Sequence, residues 1–394
     1  MSILQRNVLP DFHNGYTDCA RRFRMRVTLS PALLGTSLRD ITGIIHPHPS
    51  SPILGAVLIT ADEKGIWLWG TDLDVSGRFQ VEGVVEEPGR AAVHAKLFAD
   101  TVRNLPQDQD LSITISDDQA QLECGRSRFV MPVMQHEEFP VFPEMENPDK
   151  VLFKSNILDL LVKSTVFAAG REESRPGLNS ILWELADESM SMVATDGRRL
   201  AWMKSTLAEP TRLQRKFIMP PKALNQAVKL IGSTEEVTVS FGKRFVGFEL
   251  PYAVLYTREL DTAYPDYAAV IPKETRLNIN IPRSDLIAAL KRAVLFATPL
   301  TSQIRLEMNE GKLIVHAECP EVGEATEEID VPYEGESFQI GFNGRYLLEI
   351  LSHMTSEQVT LKMNAPLKAA LVVPETTEEG QSYTCLLMPL RLNE

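Results

Sequence analysis

The nine residues Ala194–Trp202, "ATDGRRLAW", place Asp196, Gly197, Arg198 and Arg199 inside an otherwise apolar run, as a catalytic turn would. No other group of residues supports them as chemistry. The chain has no GxxxxGK[ST] phosphate loop, no HExxH and no GxSxG. Its seven histidines, at 13, 46, 48, 94, 136, 316 and 353, are scattered. His46 and His48 lie in "HPHPSSP", a proline-rich loop without the partner ligands a metal needs. His136 opens "HEEF" in an acidic joint, and the acid pair Glu172-Glu173 is indistinguishable from solvated charge. No catalytic residue, metal site or cofactor is assigned, and the reading is not an enzyme. Asp196-Gly197 is a preferred two-residue hairpin turn with positive φ at both positions, flanked by "SMSMVAT" and "RRLAWMK". A related "WLWGTDLDVSGRF" puts Thr71-Asp72 124 positions earlier, so the turn reads first as architecture.

The elements that would carry this turn repeat three times. "VHAKLFADTVRNL", "MPPKALNQAVKLI" and "GFNGRYLLEILSH" align Phe98 with Leu224 and Tyr346, then Val102 with Val228 and Ile350. Both rows are apolar and four apart, the spacing of one buried helix face. The same offsets, 126 and 122, align the alternating strands "LSITI", "VTVSF" and "VTLKM" without a gap. A second helix opens each unit: "SPALLGTSLRDI", "SNILDLLVKSTV" and "RSDLIAALKRAV", the last behind a polar start that could cap it. Each unit therefore reads as a βαβ-rich α+β pattern of roughly 120 residues, with two helices and several strands. The joints "EEFPVFPEMENPDK" and "DTAYPDYAAVIPKE" are acidic and proline-marked.

Composition fits an ordinary globular chain, 44% hydrophobic and 24% charged over 394 residues. No apolar run approaches the roughly 20 residues of a membrane helix, and the N-terminus lacks the apolar block of a signal peptide. Cys19, Cys124, Cys319 and Cys385 lie far apart, as structural thiols in a reducing cytoplasm would. The net charge is −13, yet stretches 30–44, 95–105, 153–171, 219–232, 282–298 and 343–354 together carry +7. By difference, the rest carries −20. Basic helices in an acidic body either gather phosphate on one face or reflect the helix preference of lysine.

Six stretches carry a family likeness: "SSPILG" from Ser50, "GRSRF" from Gly125, "LNSILWE" from Leu178, "VATDGRRLA" from Val193, "YPDYAAVIP" from Tyr264 and "MPLRL" from Met388. The chain resembles the bacterial sliding clamps, beta subunits of the DNA polymerase III holoenzyme, over Met25 to Leu392. That resemblance implies a DNA-clamp α+β fold with three similar domains, 25–146, 147–273 and 274–394, each with two helices packed on antiparallel sheets, whose head-to-tail homodimer closes a six-domain ring. Residues 1–24 precede the usual family start, as a flexible tail or an early start codon. Twelve helices would line the hole, hold duplex DNA through its phosphates without sequence preference, and slide. Partners would be double-stranded DNA, a second copy, the replicative polymerase, the clamp loader and repair proteins with Gln-Leu-x-Leu-Phe-like motifs, with no membrane. The alternative is a repeat-built protein-binding scaffold that keeps the peptide pocket without encircling DNA.

The resemblance also assigns residues. A peptide pocket between the second and third domains would use Leu178, Thr195, Gly197, Arg198, Arg199, Leu200, Pro265, Val270, Leu386, Met388, Pro389, Leu390, Arg391 and Leu392. Its leucines and methionine would take apolar anchors, with Arg199 and Arg391 holding the rim and peptide carbonyls. Arg198 stands where the family often has histidine, Ala269 where some members have arginine, and Ala369 where some have serine. His48 replaces an arginine that contacts DNA in some relatives, whereas Arg175 matches a basic inner position. The helices add Arg103, Lys163, Arg171, Lys222, Lys229 and Arg292 as DNA-facing residues. Phe129 and Met131 match one side of the ring joint, Leu295 and Phe296 the other, and core roles for all four fit the sequence equally well.

Overall fold

A computed structural model describes residues 24–392 apart from 117, 173, 208 and 233. The N-terminal extension 1–24 thus lies outside the described residues except for Arg24, as do Cys19, His13 and Glu173. Among the described residues six α-helices form where the apolar spacing demanded them: α1 (Pro31–Thr42), α2 (Ala95–Arg103), α3 (Ser155–Thr165), α4 (Pro221–Ile231), α5 (Arg283–Ala293) and α6 (Gly344–Ser352). His94 accepts from the Leu97 amide and Asn343 from the Tyr346 amide, capping α2 and α6. The polar start of α5 acts differently from expectation. Arg283 opens the helix after Pro282, and Ser284 donates to Asp285 within the first turn instead of capping. Asp285 there complements the helix dipole.

The three aligned strands are found as Leu111–Ser116, Glu236–Phe241 and Gln358–Met363. Of the aligned helix rows, Phe98, Val102, Leu224 and Ile350 are buried, but Val228 and Tyr346 are only half-buried. Tyr346 keeps part of its ring accessible and packs one face against an arginine, as described below.

The chain forms two compact units. The first comprises the described residues up to Arg39, with Ser50–Leu68 and Gln80–Phe139. Its strands pair antiparallel in the order Gly83–Glu87, Arg24–Leu29, Leu111–Ser116, Gln119–Cys124, Ser127–Met134, Gly89–His94 and Ala56–Asp62. Inward residues such as Met25, Val27, Ile113, Ile115 and Leu122 are buried and alternate with more exposed ones, and α2 packs on Ala56–Asp62 and Gly89–His94 with Phe98 and Val102 buried.

The second unit holds Asp40–Pro49, Trp69–Phe79 and everything from Pro140 on. Within it, α3 packs on α4 and α5 on α6. Trp183 is fully buried among Phe153, Phe217, Phe241 and Phe248, with ring centroids 5.5–6.4 Å away. Its eight-stranded sheet crosses from the second repeat to the third without a break. The order is Arg215–Met219, Ile181–Ala186, Ser189–Thr195, Arg199–Thr206, Gln381–Leu387, Ala370–Pro374, Gln358–Met363 and Leu277–Pro282. The crossing pair runs antiparallel from Arg199↔Leu387 to Ser205↔Gln381. A second, four-stranded sheet orders Gly323–Asp330, Lys312–Cys319, Gln303–Asn309 and Phe338–Asn343. Cys124, Cys319 and Cys385 are free and buried, and burial pushes the Cys385 thiol up to about 12. Among the described residues no helix is long and apolar enough to cross a membrane.

Candidate functional site

The turn at Asp196 joins Ser189–Thr195 to Arg199–Thr206, so the hairpin forms, but not with the expected two-residue geometry. Only Gly197 has positive φ, at 84°. The Asp196 carboxylate instead wraps the turn, with Oδ1 accepting from the amides of Arg198 at 2.8 Å and Arg199 at 2.9 Å. Thr195 Oγ1 donates to the Arg199 carbonyl at 2.6 Å and accepts from the Gly197 amide at 3.1 Å. The earlier Thr71-Asp72 turn repeats this pattern. Asp72 Oδ1 accepts from Asp74 and Val75, and Thr71 Oγ1 bonds the Val75 carbonyl and the Leu73 amide. Leu73, at φ 80°, holds the seat Gly197 takes in the copy.

Arg199 does not sit on a rim. It is 6% exposed, and every arm of its guanidinium is engaged. Nε donates to Asp196 Oδ2 at 3.2 Å, Nη1 to Glu349 Oε2 at 2.7 Å, and Nη2 to the Phe167 carbonyl at 2.7 Å. Its plane lies 4.4 Å from the Tyr346 ring centre and 5.4 Å from that of Phe167, which stacks on His353 at 4.1 Å. The expected hold on peptide carbonyls is therefore corrected. Arg199 ties the second repeat's turn to α6 of the third.

Beside this tie lies an apolar floor. Leu200 and Leu386 are buried with Leu182, Val193 and Leu371, and Trp202, Tyr264, Tyr267 and Ala369 pack against them. Tyr264 donates to the Val193 carbonyl at 2.9 Å, and Tyr267 to Glu184 at 2.7 Å, which anchors the "YPDYAAVIP" segment on the sheet. Around the floor, Met388 is 43% and Val270 53% exposed, unusually open for their types. Leu178 is half-buried against the turn, its Cδ1 3.8 Å from where a Cβ on Gly197 would stand. Arg198, Pro265 and Arg391 are exposed, and Thr195 is buried inside the turn. The Met388 amide donates to the Arg198 carbonyl at 2.8 Å, so the C-terminal segment is pinned to the turn. After Pro389, Leu390 bridges to Gly341 and Leu392 packs against the same glycine, at the edge of the four-stranded sheet. The residue reading missed Leu182, Val193 and Leu371. Alternation in "ILWELA", "SMSMVAT" and "ALVVP" marks them as inward, without saying that this inward face opens at one end.

The expected DNA-facing cations are mostly paired with acids. Arg103 meets Asp100 at 2.6 Å, Lys163 meets Asp159 at 2.8 Å, Arg175 meets Glu172 at 3.7 Å and Lys229 meets Asp40 at 3.9 Å. Arg292 grips Glu327 with two bonds, at 2.7 and 2.6 Å. Lys222 is a correction: its ammonium is spent on Asp72 and the Ile44 carbonyl, which makes it a structural tie. Arg171 is exposed with no ion pair among the described residues; Lys96, Lys291 and Arg345, which the residue reading did not single out, are in the same state. His46 Nδ1 bonds the His48 amide at 3.0 Å, closing a local turn. Of the ring-joint residues, Phe129 is 40% and Leu295 72% exposed and Phe296 half-buried, whereas Met131 is turned into its own unit at 4%.

Comparison with known proteins places these features. The DNA polymerase III beta subunit family matches in chain order: its N-terminal domain over residues 25–143, its central domain over 153–266 and its C-terminal domain over 268–391. The chain belongs to the DNA polymerase III beta subunit family. It is 30% identical to the beta sliding clamp of Caulobacter vibrioides over 375 residues, covering 93% of this chain and all of that one. The sliding clamp of Pseudomonas aeruginosa bound to griselimycin superposes with a TM-score of 0.87 at 28% identity, covering 93% of this chain and 100% of that one. The beta sliding clamp of C. crescentus gives 0.88 at 29% identity, covering 94% and 100%. This beta-family chain thus has three clamp domains of mixed helix and sheet, and the threefold repeat read from the residues is the family's own.

Proposed function

We propose that this chain is a DNA sliding clamp, a non-catalytic processivity factor of the cytoplasm that encircles duplex DNA and tethers polymerases to it. The observation that carries the reading is the floor of Leu182, Val193, Leu200, Leu371 and Leu386 at the joint of the second and third repeats, edged by exposed Met388 and Val270. Buried leucines with accessible apolar neighbours suit the leucine and phenylalanine of a Gln-Leu-x-Leu-Phe segment. Tethering through a short segment raises the partner's local concentration at DNA without new chemistry.

Ring closure would use two open strand edges. Ser127–Met134 pairs with Gln119–Cys124 but, up to Pro132, has no strand on its other side among the described residues. Gly323–Asp330 pairs, among the described residues, only with Lys312–Cys319. Unpaired edges of this kind accept a strand from another copy, and a head-to-tail contact is stable when it closes a ring. Phe129, Val130 and Leu295 supply apolar area beside those edges, and Met131 supports them from inside.

DNA contact would rest on Arg171, Lys96, Lys291 and Arg345, with the paired Arg103, Lys163, Arg175, Lys229 and Arg292 behind them. Contacts of this kind address phosphates and carry no base preference. The test of the pocket is titration of a labelled Gln-Leu-Ser-Leu-Phe peptide, read by anisotropy, against this protein and its Met388→Glu variant. Saturable binding that the variant loses supports the reading. Absence of binding by the folded protein overturns it.

A further inference from the structure

The face that carries the apolar floor continues, one residue pair further on, into a polar trough. Directly paired residues share a face of a sheet, and Leu182↔Val193 is followed by Glu184↔Ser191, as Val193↔Trp202 is followed by Ser191↔Lys204. A cavity of about 420 Å³ opens there, with Trp202 as its apolar wall and Glu184, Lys204, Arg215 and Lys216 as its charged groups.

The charges in this trough are unequally spent. Burial alone would push the Glu184 carboxyl up, but bonds from Lys216, Tyr267 and Ser191 outweigh it and hold the group below the usual glutamate range. Both its oxygens are occupied, Oε1 by Lys216 at 2.6 Å and Oε2 by Tyr267 at 2.7 Å and Ser191 at 3.1 Å. Arg215 is taken up by Glu259 and by the carbonyls of Gly242 and Lys243. The Lys204 side chain is exposed and its ammonium has no hydrogen bond or ion pair among the described residues. Three cations thus face one saturated carboxylate, with one ammonium uncommitted.

We infer that this trough is an accessory subsite that takes an acidic side chain flanking the apolar anchors of the docked partner segment. The inference rests on the docking floor proposed above. The step from Val193 to Ser191 is two residues of strand, about 7 Å. An extended segment anchored on the floor therefore brings a residue two or three positions from its anchor over Lys204. A carboxylate there meets an unpaired ammonium, whereas a lysine meets the one positive charge of the trough that no acid offsets.

The test uses labelled Gln-Leu-Ser-Leu-Phe peptides carrying Glu-Glu or Lys-Lys at one end or the other, titrated at low salt beside the unflanked peptide as reference. At one of the two ends the acidic peptide should bind about two- to fivefold tighter than the basic one, the worth of an exposed ion pair. In Lys204→Glu that ratio should vanish or invert. Equal affinities at both ends, or an acid preference that survives Lys204→Glu, overturn the subsite while leaving the docking floor standing. Failure of the unflanked peptide to bind overturns the floor, and the subsite with it.

Discussion

Arg199 in the hairpin of the second repeat donates to Glu349 on α6 of the third at 2.7 Å, across 150 positions of chain. The guanidinium is buried and the carboxylate side chain is 38% exposed. The bond therefore joins the two repeats at the point where their sheet is continuous, directly beside the apolar floor.

Removing Glu349 should leave a buried guanidinium with Asp196 as its one carboxylate and the Phe167 carbonyl as its other acceptor. A fully buried pair broken on one side costs about 3–5 kcal/mol, and partial exposure of Glu349 reduces that to about 1–3 kcal/mol. Glu349→Ala is expected to lower the thermal midpoint and to weaken peptide binding, because Tyr346 and the turn both lose their fixed position. An unchanged midpoint in calorimetry would contradict this role.

The two wrapped turns predict opposite responses at one seat. Leu73, at φ 80°, carries the left-handed penalty of about 1–2 kcal/mol, while Gly197, at φ 84°, does not. After the entropy cost of glycine, Leu73→Gly should stabilise by up to about 1 kcal/mol. Gly197→Ala should destabilise by about 1 kcal/mol, since its new Cβ meets nothing closer than 3.8 Å and only the backbone objects. Urea denaturation of both variants checks the signs.

Pairing of the helix cations with acids predicts a weak electrostatic grip. Arg103→Glu, Lys163→Glu and Lys229→Glu together should weaken DNA retention and cut the slope of log affinity against log salt by up to about 2.7, leaving peptide binding intact. Glu327→Gln, which removes the carboxylate charge facing Arg292, should act the other way. Loss of both DNA and peptide binding in the triple variant would mean misfolding instead.

Glu184 sets an acid limit. Its folded pKa lies below the ordinary value, so its stabilising effect is complete above about pH 4.3 and is lost as pH falls through the folded value. The stability gap between the wild type and Glu184→Gln should be present at pH 7 and shrink toward pH 3. It should stay under about 1 kcal/mol because Lys216 is 70% exposed. A gap independent of pH would contradict the assignment.

What the residues alone revealed follows from the range of each interaction. Helix faces and alternating strands are local periodicities, so the threefold repeat and the register of Leu111–Ser116, Glu236–Phe241 and Gln358–Met363 were legible. The hairpin at Asp196-Gly197 was legible as a turn. Its geometry was not, because Asp196 and Thr195 bend back to backbone groups that composition does not name. The roles of Arg199 and Lys222 were hidden for another reason. Each depends on an acid 150 positions away, Glu349 and Asp72, and charge at such separation has no signature in the chain. Arg199 consequently read as a rim residue and Lys222 as a DNA contact. The floor residues Leu182, Val193 and Leu371 were visible as core but not as the base beneath exposed Met388 and Val270.

The central claim is topological, and retention on DNA tests it most directly. After loading onto nicked circular plasmid by a clamp loader, the protein should co-elute with the DNA through gel filtration at moderate salt. Linearising the plasmid should release it at unchanged DNA mass and sequence. Equal retention on circular and linear DNA, or none on either by a loaded dimer, would contradict encirclement and leave a peptide-binding scaffold in its place.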